Sequence, residues 1–181
     1  ITEKRPDNYH NLESVFYPIP VKDVLEIVES NEEKTQLHIS GIEIDGDTND
    51  NLIMKAYRLL AADFSIPNVD IYLKKLIPFG AGLGGGSADA AFTLKALNEL
   101  FSLGLSLEQL ENYASKLGAD CPFFVRNQPT YATGIGNIFE PVDISLKGTF
   151  MVLVKPEVFI STKEAYSLIK PKKTEGPVKE K

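Results

Sequence analysis

The stretch from Pro78 to Ser87 reads PFGAGLGGGS, and five glycines fall within the seven positions 80–86. Glycine adopts positive φ angles without steric cost, and it leaves the backbone N–H groups open to an approaching anion. Such a density of glycine destabilises the fold, because glycine loses more conformational freedom on folding than any other residue. It is therefore unexpected unless the loop has a function. The composition therefore favours an anion-binding loop over an ordinary turn.

The segments on either side of this loop predict a strand before it and a helix after it. Apolar residues alternate along positions 69–75, which predicts a half-buried strand that ends at Pro78. Apolar residues recur at helical spacing along positions 90–101, and Gly104 follows as the predicted C-terminal cap. The positive end of the helix dipole would point at the loop, so the predicted anion is a phosphate group.

Two common classes of phosphate-binding loop fit this sequence poorly. A P-loop requires a lysine and then serine or threonine after its last glycine, whereas Gly86 is followed by Ser87 and an alanine. Positions 80–85 formally satisfy the dinucleotide-binding pattern G-x-G-x-x-G, but that unit also requires an acidic residue after a second strand, about 20 residues further on. The chain instead predicts a second helix over 107–117 with Ser106 as its N-cap, so a dinucleotide oxidoreductase is a remote alternative.

The rest of the chain mixes predicted strands and helices. Two strands, at 24–29 and 37–40, are predicted to form a hairpin whose polar connection lies in solvent. A helix over 51–63 follows a turn-rich connection. The remaining predicted elements are strands at 131–142 and 149–155, and a helix at 163–169 with its cap at 161–162. This order of elements predicts an α+β fold.

Composition and charge exclude several classes of function. The net charge is -6 and the basic residues are scattered, so neither a nucleic acid nor a membrane is expected as a partner. No apolar run approaches the roughly 20 residues of a membrane-spanning helix, and the N-terminus lacks the order of a signal peptide. One cysteine, Cys121, and two histidines disfavour a disulfide or a zinc site. We therefore expect a soluble cytoplasmic protein that acts on a small molecule, with any metal held by oxygens.

Five strings carry a resemblance to a known family. PFGAGLGGGSADAA resembles the second motif of the GHMP kinases, whose loop binds the phosphates of ATP. KRPDNYHNLESVF, LGADCPFFV, ATGIG and VLVKPEVFISTKEAY, together with that motif, resemble the branch that phosphorylates a cytidine-diphosphate-linked methylerythritol in the non-mevalonate isoprenoid pathway. The similarity covers Lys4 to about Tyr166. It implies transfer of the γ-phosphoryl group of ATP, with Mg²⁺, to a hydroxyl of that small molecule.

The resemblance also implies a domain organisation. Residues 1–147 would form the GHMP kinase N-terminal domain (ribosomal protein S5 domain 2-like), a two-layer mixed sheet with helices. Residues 148–181 would begin a second α+β domain and end in a mobile tail. The family places an Ala-Lys-[IL]-Asn motif just upstream of KRPDNYH, and its lysine neighbours the catalytic aspartate. This motif is absent from the sequence, which begins at Ile1, so we expect the chain to be a fragment.

Site residues are implied position by position. Asp120 falls on the catalytic aspartate that accepts the proton of the attacking hydroxyl, and Lys75 and Asn51 fall where the family contacts the adenine nucleoside. Tyr9 and His10 fall on the residues that bind the cytosine. Ile135 would line the acceptor site, and no residue is implied as a metal ligand. The positions that would hold the ATP phosphates are Pro78, Gly80, Ala81, Gly82, Leu83, Gly84, Gly85, Gly86 and Ser87.

The residues alone leave plainer interpretations open. Asp120 also suits a cap of the turn that follows it, and Tyr9 and His10 also suit surface positions beside a turn at 6–8. Cys121 is expected to be a small buried residue without a reactive thiolate. At the level of the whole chain, the alternatives are another GHMP small-molecule kinase, or a nucleotide-binding fragment without turnover.

Overall fold

The computed structural model describes residues 1–44, 46–78, 80–156 and 162–171. The strands are β1 (Glu3–Lys4), β2 (His10–Asn11), β3 (Ser14–Phe16), β4 (Val24–Glu29), β5 (Gln36–Gly41), β6 (Val69–Lys75), β7 (Thr130–Thr133) and β8 (Ile138–Pro141). The helices are α1 (Leu52–Ala61), α2 (Gly85–Leu100), α3 (Leu107–Ser115), α4 (Cys121–Arg126) and α5 (Thr162–Ser167). A 3₁₀ turn covers Thr48–Asp50.

The chain divides into two compact units. The larger unit is Ile19–Arg126, and the smaller unit combines Ile1–Pro18 with Asn127–Lys181. The boundary at 147/148 that the family resemblance implies stays a prediction. Among the described residues, none of the helices has both the length and the apolar character needed to cross a membrane.

The sheet of the larger unit has the order β4-β6-β5. β6 pairs antiparallel with β4 and parallel with β5, so the predicted hairpin between 24–29 and 37–40 is wrong. These two strands flank β6, which is the most buried strand of the unit and encloses Val69, Ile71 and Leu73. A strand buried on this scale gains most from the central position, where neighbouring strands cover both of its edges.

Helices α1 to α4 complete the core of the larger unit. Ile53 and Leu60 of α1 and Leu94 and Leu97 of α2 are fully buried, and they pack in one cluster with the inward side chains of β6. Burying a side chain of this size contributes roughly 1.5–3 kcal/mol. The opposite side of β6 exposes Tyr72, so the unit is a sheet with helices on one face, as the predicted fold class requires.

Local capping explains where these helices begin and end. Ser106 caps α3 and forms a capping box with Gln109, as expected of the N-cap predicted there. The cap predicted at Gly104 is wrong: although Gly104 also has a positive φ, of 70°, the left-handed residue that directly follows the C-cap Phe101 is Ser102, with φ 51°. Its N–H donates to the carbonyl of Glu99, and the N–H of Leu103 donates to that of Asn98, which is a Schellman motif.

The described residues of the smaller unit form two short sheets. β1 pairs with β2, and β3, β7 and β8 form a sheet in the order β3-β7-β8. The strand predicted at 131–142 is a hairpin, because a turn separates β7 from β8. No strand forms at 149–155, where the chain is described and Phe150 is fully exposed, so that prediction is wrong. The predicted cap at position 161 and the tail beyond position 171 lie outside the described residues.

Leu94→Ala should lower the free energy of unfolding by about 2–5 kcal/mol, because it opens a cavity in the core. Leu100 lies on the same helix but is 46% exposed, so Leu100→Ala should cost under about 1 kcal/mol. Urea denaturation of both variants measures the difference. Equal losses would show that the buried face of α2 is misassigned.

Candidate active site

The loop before α2 depends on glycine for its backbone conformation. Gly80, Gly82 and Gly84 have φ angles of 67°, 69° and 68°. An L-residue with a side chain pays roughly 1–2 kcal/mol in this left-handed region. The alternation of such glycines with Ala81 and Leu83 bends the chain tightly, from the end of β6 into the first turn of α2.

Close approach explains two further glycine positions. A Cβ at Gly84 would lie 2.8 Å from the ring of Phe124, and a Cβ at Gly85 would lie 3.1 Å from Nζ of Lys75. A Cβ at Gly82 or Gly86, by contrast, would meet no described atom within 4 Å. One side of the loop is therefore packed against the protein, and the other side is open.

The N-terminus of α2 is free of a side-chain cap. Gly84 occupies the N-cap position, no side chain accepts a hydrogen bond there, and the first turn contains no acidic residue. The first N–H groups of a helix have no partner within the helix, and the helix dipole makes this end partially positive. The open loop and the uncapped helix end together form a site that suits an anion such as phosphate.

Lys75 lies in the protein interior beneath this loop. Its Nζ is 2.6 Å from Oδ2 of Asp23 and 2.7 Å from Oδ2 of Asp89, and all three side chains are less than 10% exposed. Oδ1 of Asp23 also accepts hydrogen bonds from the N–H groups of Leu76 and Ile77, at 2.6 and 2.8 Å. The nucleoside contact predicted for Lys75 stays a prediction, but its ammonium group is engaged by both carboxylates.

The three groups of this cluster titrate differently. Burial favours the neutral lysine, but the hydrogen bonds with Asp23 and Asp89 outweigh it and raise the pKa of Lys75. Burial also disfavours the charge of Asp23, but hydrogen bonds from Lys75, Ile77 and Leu76 lower its pKa. For Asp89, burial outweighs the attraction of Lys75 and raises the pKa to about 6.

Asp120 immediately precedes α4, in a turn that is exposed to solvent. Its carboxylate has no hydrogen-bond or ion-pair partner among the described residues, so the interpretation as a helix cap is not supported. Although the residue is exposed overall, the protein around the carboxylate removes enough water to raise its pKa above the usual 3.8. An unpaired carboxylate with a raised pKa is a suitable acceptor for a proton.

Cys121 connects this carboxylate to the glycine loop. The thiol is fully buried, as expected, and a Cβ at Gly118 would contact its Sγ at 3.3 Å. Burial raises the pKa of Cys121, an interaction with the Ser87 side chain lowers it, and the charge of Asp120 raises it further. Ser87 at the end of the loop therefore lies beside the residue that follows Asp120, within one unit.

Asn51 has a structural role that the sequence did not indicate. Its Oδ1 accepts a hydrogen bond from the N–H of Ile53 at 2.9 Å, and this caps α1. The amide nitrogen of Asn51 makes no hydrogen bond to another described residue. Contact with the nucleoside stays a prediction, and this amide is the group that would make it.

The candidate acceptor residues lie in the smaller unit. Tyr9 is 60% exposed at the end of a tight turn, in which Asn8 has φ 66° and the N–H of Tyr9 donates to Oδ1 of Asp7. His10 on β2 is buried, so the surface position is excluded for His10. The turn of Ile135 is joined to the strand of His10, because the N–H of Leu12 donates to the carbonyl of Gly134 at 2.8 Å.

Tyr166 is a candidate that the sequence reasoning missed. Its ring centroid lies 5.3 Å from that of His10, with the planes tilted by 46°. Tyr166 ends the VLVKPEVFISTKEAY string, which is the one sequence feature that marks it as a candidate. Spacing along the chain does not connect it to His10. Tyr9, His10 and Tyr166 therefore supply three rings to one unit.

Metal binding by the protein alone has little support. In residues 1–44, 46–78, 80–156 and 162–171, no three Asp, Glu, His or Cys side chains are grouped so as to hold an ion. Mg²⁺ is usually held by one or two carboxylates together with the phosphates of a nucleotide.

Comparison with known proteins places this site in a family. The profile described as "GHMP kinases N terminal domain" matches residues 51–128, which include the glycine loop and Asp120. The "4-diphosphocytidyl-2-C-methyl-D-erythritol kinase" of Bacteroides fragilis is 63% identical over 99% of this chain. The chain belongs to the GHMP kinases. The family resemblance found in the sequence is thus confirmed.

Two further GHMP kinases support the assignment. The protein of the same name from Bacteroides thetaiotaomicron is 57% identical over 99% of this chain. The crystal structure of a "4-(cytidine 5'-diphospho)-2C-methyl-D-erythritol kinase" superposes with a TM-score of 0.68 and 34% identity, covering 80% of this chain and 51% of that one. The chain spans 66% of the length of both Bacteroides relatives.

Lys75→Met should lower the free energy of unfolding by about 3–5 kcal/mol, because it leaves two buried carboxylates without their cation. The neighbouring Lys74 is exposed on the same strand, and Lys74→Met should change stability by no more than about 0.5 kcal/mol. Urea denaturation at pH 7.5 compares the two. A loss of similar size at both positions would contradict the buried cluster.

Proposed function

We propose that this protein transfers the γ-phosphoryl group of ATP to the 2-hydroxyl of 4-diphosphocytidyl-2-C-methyl-D-erythritol, a step of the non-mevalonate isoprenoid pathway. The observation that carries this proposal is the open glycine loop at an uncapped helix, with Asp120 joined to it through Ser87 and Cys121. The choice of acceptor is supported by the names of relatives up to 63% identical, of which the chain spans 66%.

The larger unit would hold the phosphoryl donor. Backbone N–H groups from Gly80 to Ser87 and the positive end of α2 would bind the phosphates of ATP. Mg²⁺ bound to those phosphates would neutralise charge that develops on the transferred group. No side chain of this protein is assigned to the ion. Phosphoryl transfer depends mainly on such positioning and charge neutralisation.

Asp120 would activate the acceptor. Its carboxylate takes the proton of the 2-hydroxyl while the oxygen forms a bond to the γ-phosphorus, and the bond to the β–γ bridging oxygen breaks to release ADP. The raised pKa brings this base closer to neutrality, so its basic strength is greater than that of an ordinary aspartate. The unpaired carboxylate can be approached by a hydroxyl because it is exposed.

The smaller unit would recognise the cytidine part of the acceptor. The exposed ring of Tyr9 offers a flat surface to a base, and such stacking contributes about 1–3 kcal/mol per base. His10 is held beside Tyr166 and would donate or accept a hydrogen bond at the edge of the cytosine. Ile135 would contact the acceptor from its turn. We place the reaction in the cytoplasm, where ATP is available.

A coupled assay of the protein with ATP, Mg²⁺ and the cytidine-linked acceptor tests the proposal. ADP and a new phosphate ester in the ³¹P NMR spectrum are expected with this acceptor only. Turnover with homoserine, mevalonate or a sugar would instead favour another GHMP kinase activity. ATP binding without any phosphoryl transfer would favour a nucleotide-binding module.

Asp120→Asn should lower kcat by about 10²–10⁴, because it removes the proton acceptor, with little change in ATP affinity. In the wild type, kcat should fall as the pH falls through the pKa of Asp120, which lies above 3.8, because only the ionised form accepts a proton. Asp143 is also exposed, and Asp143→Asn serves as the control. Near-normal turnover of Asp120→Asn would remove this residue from the mechanism.

Asn51→Ser separates the two roles of Asn51. Serine is also a good N-cap, so stability should stay within about 0.5 kcal/mol, whereas Asn51→Ala should cost about 1 kcal/mol. Both variants lack the amide, so both should bind ATP about tenfold more weakly if it donates to the nucleoside. Calorimetric titration and urea denaturation supply the two readouts. Unchanged ATP affinity in Asn51→Ser would leave Asn51 as a cap only.

A further inference from the structure

The buried cluster of Lys75, Asp23 and Asp89 has no part in the proposed chemistry, yet it lies beneath the phosphate loop. Nζ of Lys75 is 3.1 Å from the position that a Cβ of Gly85 would take, at the first residue of α2. Asp89 belongs to the second turn of the same helix. The cluster therefore lies at the helix end where the phosphates of a nucleotide would bind.

The charges of the cluster do not cancel. One lysine contributes +1 and two aspartates contribute −2, so the cluster carries −1 when both aspartates are ionised. The site above it is proposed to take an anion. Like charges that are partly shielded from water repel each other more strongly than they would in bulk solvent. A negative cluster would weaken phosphate binding, and a neutral one would not.

We propose that Asp89 is a positioning residue of the phosphate site and that it takes up a proton when a nucleotide binds. Protonated Asp89 keeps its contact with Lys75 through its carbonyl oxygen, while the charge beneath the phosphates is cancelled. The buried contact between Lys75 and Asp89 would then hold the loop in place whether Asp89 is ionised or protonated. This inference rests on the nucleotide site of the proposed function.

Asp89, and not Asp23, is the group that takes up the proton. Asp23 accepts two backbone hydrogen bonds besides the contact with Lys75, and these favour its ionised form. Among the described residues, the carboxyl group of Asp89 accepts no backbone hydrogen bond; it contacts Lys75 and the Asp23 side chain, and the charge of Asp23 together with the hydrogen bond between the two aspartates favours the protonated form of Asp89. Burial of Asp89 raises its pKa to about 6, so a modest further rise on nucleotide binding places its titration near neutral pH.

The other elements around α2 bring few titratable groups to this point. Lys75 on β6 and Asp23 before β4 are the charged groups that contact Asp89. From α4, Cys121 faces Ser87 and stays neutral, since burial raises the pKa of its thiol. Tyr57 is the titratable side chain among the buried residues of α1 and α3, and its hydroxyl donates to the carbonyl of Pro67.

The sign of the pH effect follows from the charges. A bound nucleotide is negative, so it disfavours ionised Asp89 and raises the pKa above about 6. Between the free and the bound pKa, binding takes up protons, and affinity increases as the pH falls. The change is at most tenfold in affinity per pH unit, because a single group takes up one proton.

Calorimetric titration with MgADP at saturating Mg²⁺ tests the inference. Titrations at pH 6, 7 and 8, each in two buffers of different ionisation enthalpy, give the affinity and the number of protons taken up. The comparison is between the wild type and Asp89→Asn, whose amide oxygen still accepts a hydrogen bond from Lys75. Asp143→Asn, an exposed change, is the control and should match the wild type. Any protonation of the nucleotide itself is the same with all three proteins, so it cancels in the comparison of proton uptake.

We expect the wild type to take up more protons than Asp89→Asn at pH 7 and to bind MgADP several-fold more weakly at pH 8 than at pH 6. Asp89→Asn should show a smaller pH dependence and tighter binding than the wild type at pH 8. Its KM for ATP should change accordingly, with kcat nearly unchanged. A residue with a merely structural role would not tighten binding when altered.

Equal proton uptake and equal pH dependence in the wild type and Asp89→Asn would overturn the inference while leaving nucleotide binding intact. Absence of MgADP binding by the wild type at all three pH values would overturn both this inference and the proposed function. Should Asp89→Asn fail to fold, ¹³C NMR titration of the wild-type carboxyl groups decides. The midpoint of Asp89 must then move upward on addition of MgADP, and an unchanged midpoint contradicts the inference.

Discussion

The contact of one buried ammonium group with two carboxylates fixes the geometry on which the larger unit depends. Lys75 ends the central strand, Asp23 precedes the flanking strand β4, and Asp89 lies on α2. Breaking such a group by removing one member leaves an uncompensated buried charge, whereas the intact group is only weakly stabilising in itself. Its value lies in holding three segments in one arrangement, and the glycine loop spans the gap between two of them.

The periodicity of the sequence was sufficient to predict β6, α2 and α3, because each is set by local alternation, helical spacing or a cap such as Ser106. Strand pairing was not predictable in the same way. The strands at 24–29 and 36–41 are neighbours in sequence, but each gains more by pairing with β6, a preference that depends on burial across the whole unit.

The same distinction between local patterns and long-range contacts applies to the candidate site. Composition predicted the anion-binding loop, and the family resemblance implied roles for Asp120, Tyr9 and His10. The partners of Lys75 lie 52 and 14 residues away in sequence, so spacing could not reveal that its charge is enclosed. Tyr166 escaped notice for the same reason, since its contact with His10 joins distant parts of the chain.

The ring of Phe124 lies against the backbone of Gly84, within 2.8 Å of where a side chain would begin. Phe124 belongs to α4, whose first residue follows Asp120. The same helix therefore contacts the loop through Phe124 and positions the carboxylate at its start. A change in the size of residue 124 would displace the glycine loop and the carboxylate of Asp120 together. The distance between the loop and the carboxylate is thereby limited by the size of one aromatic side chain.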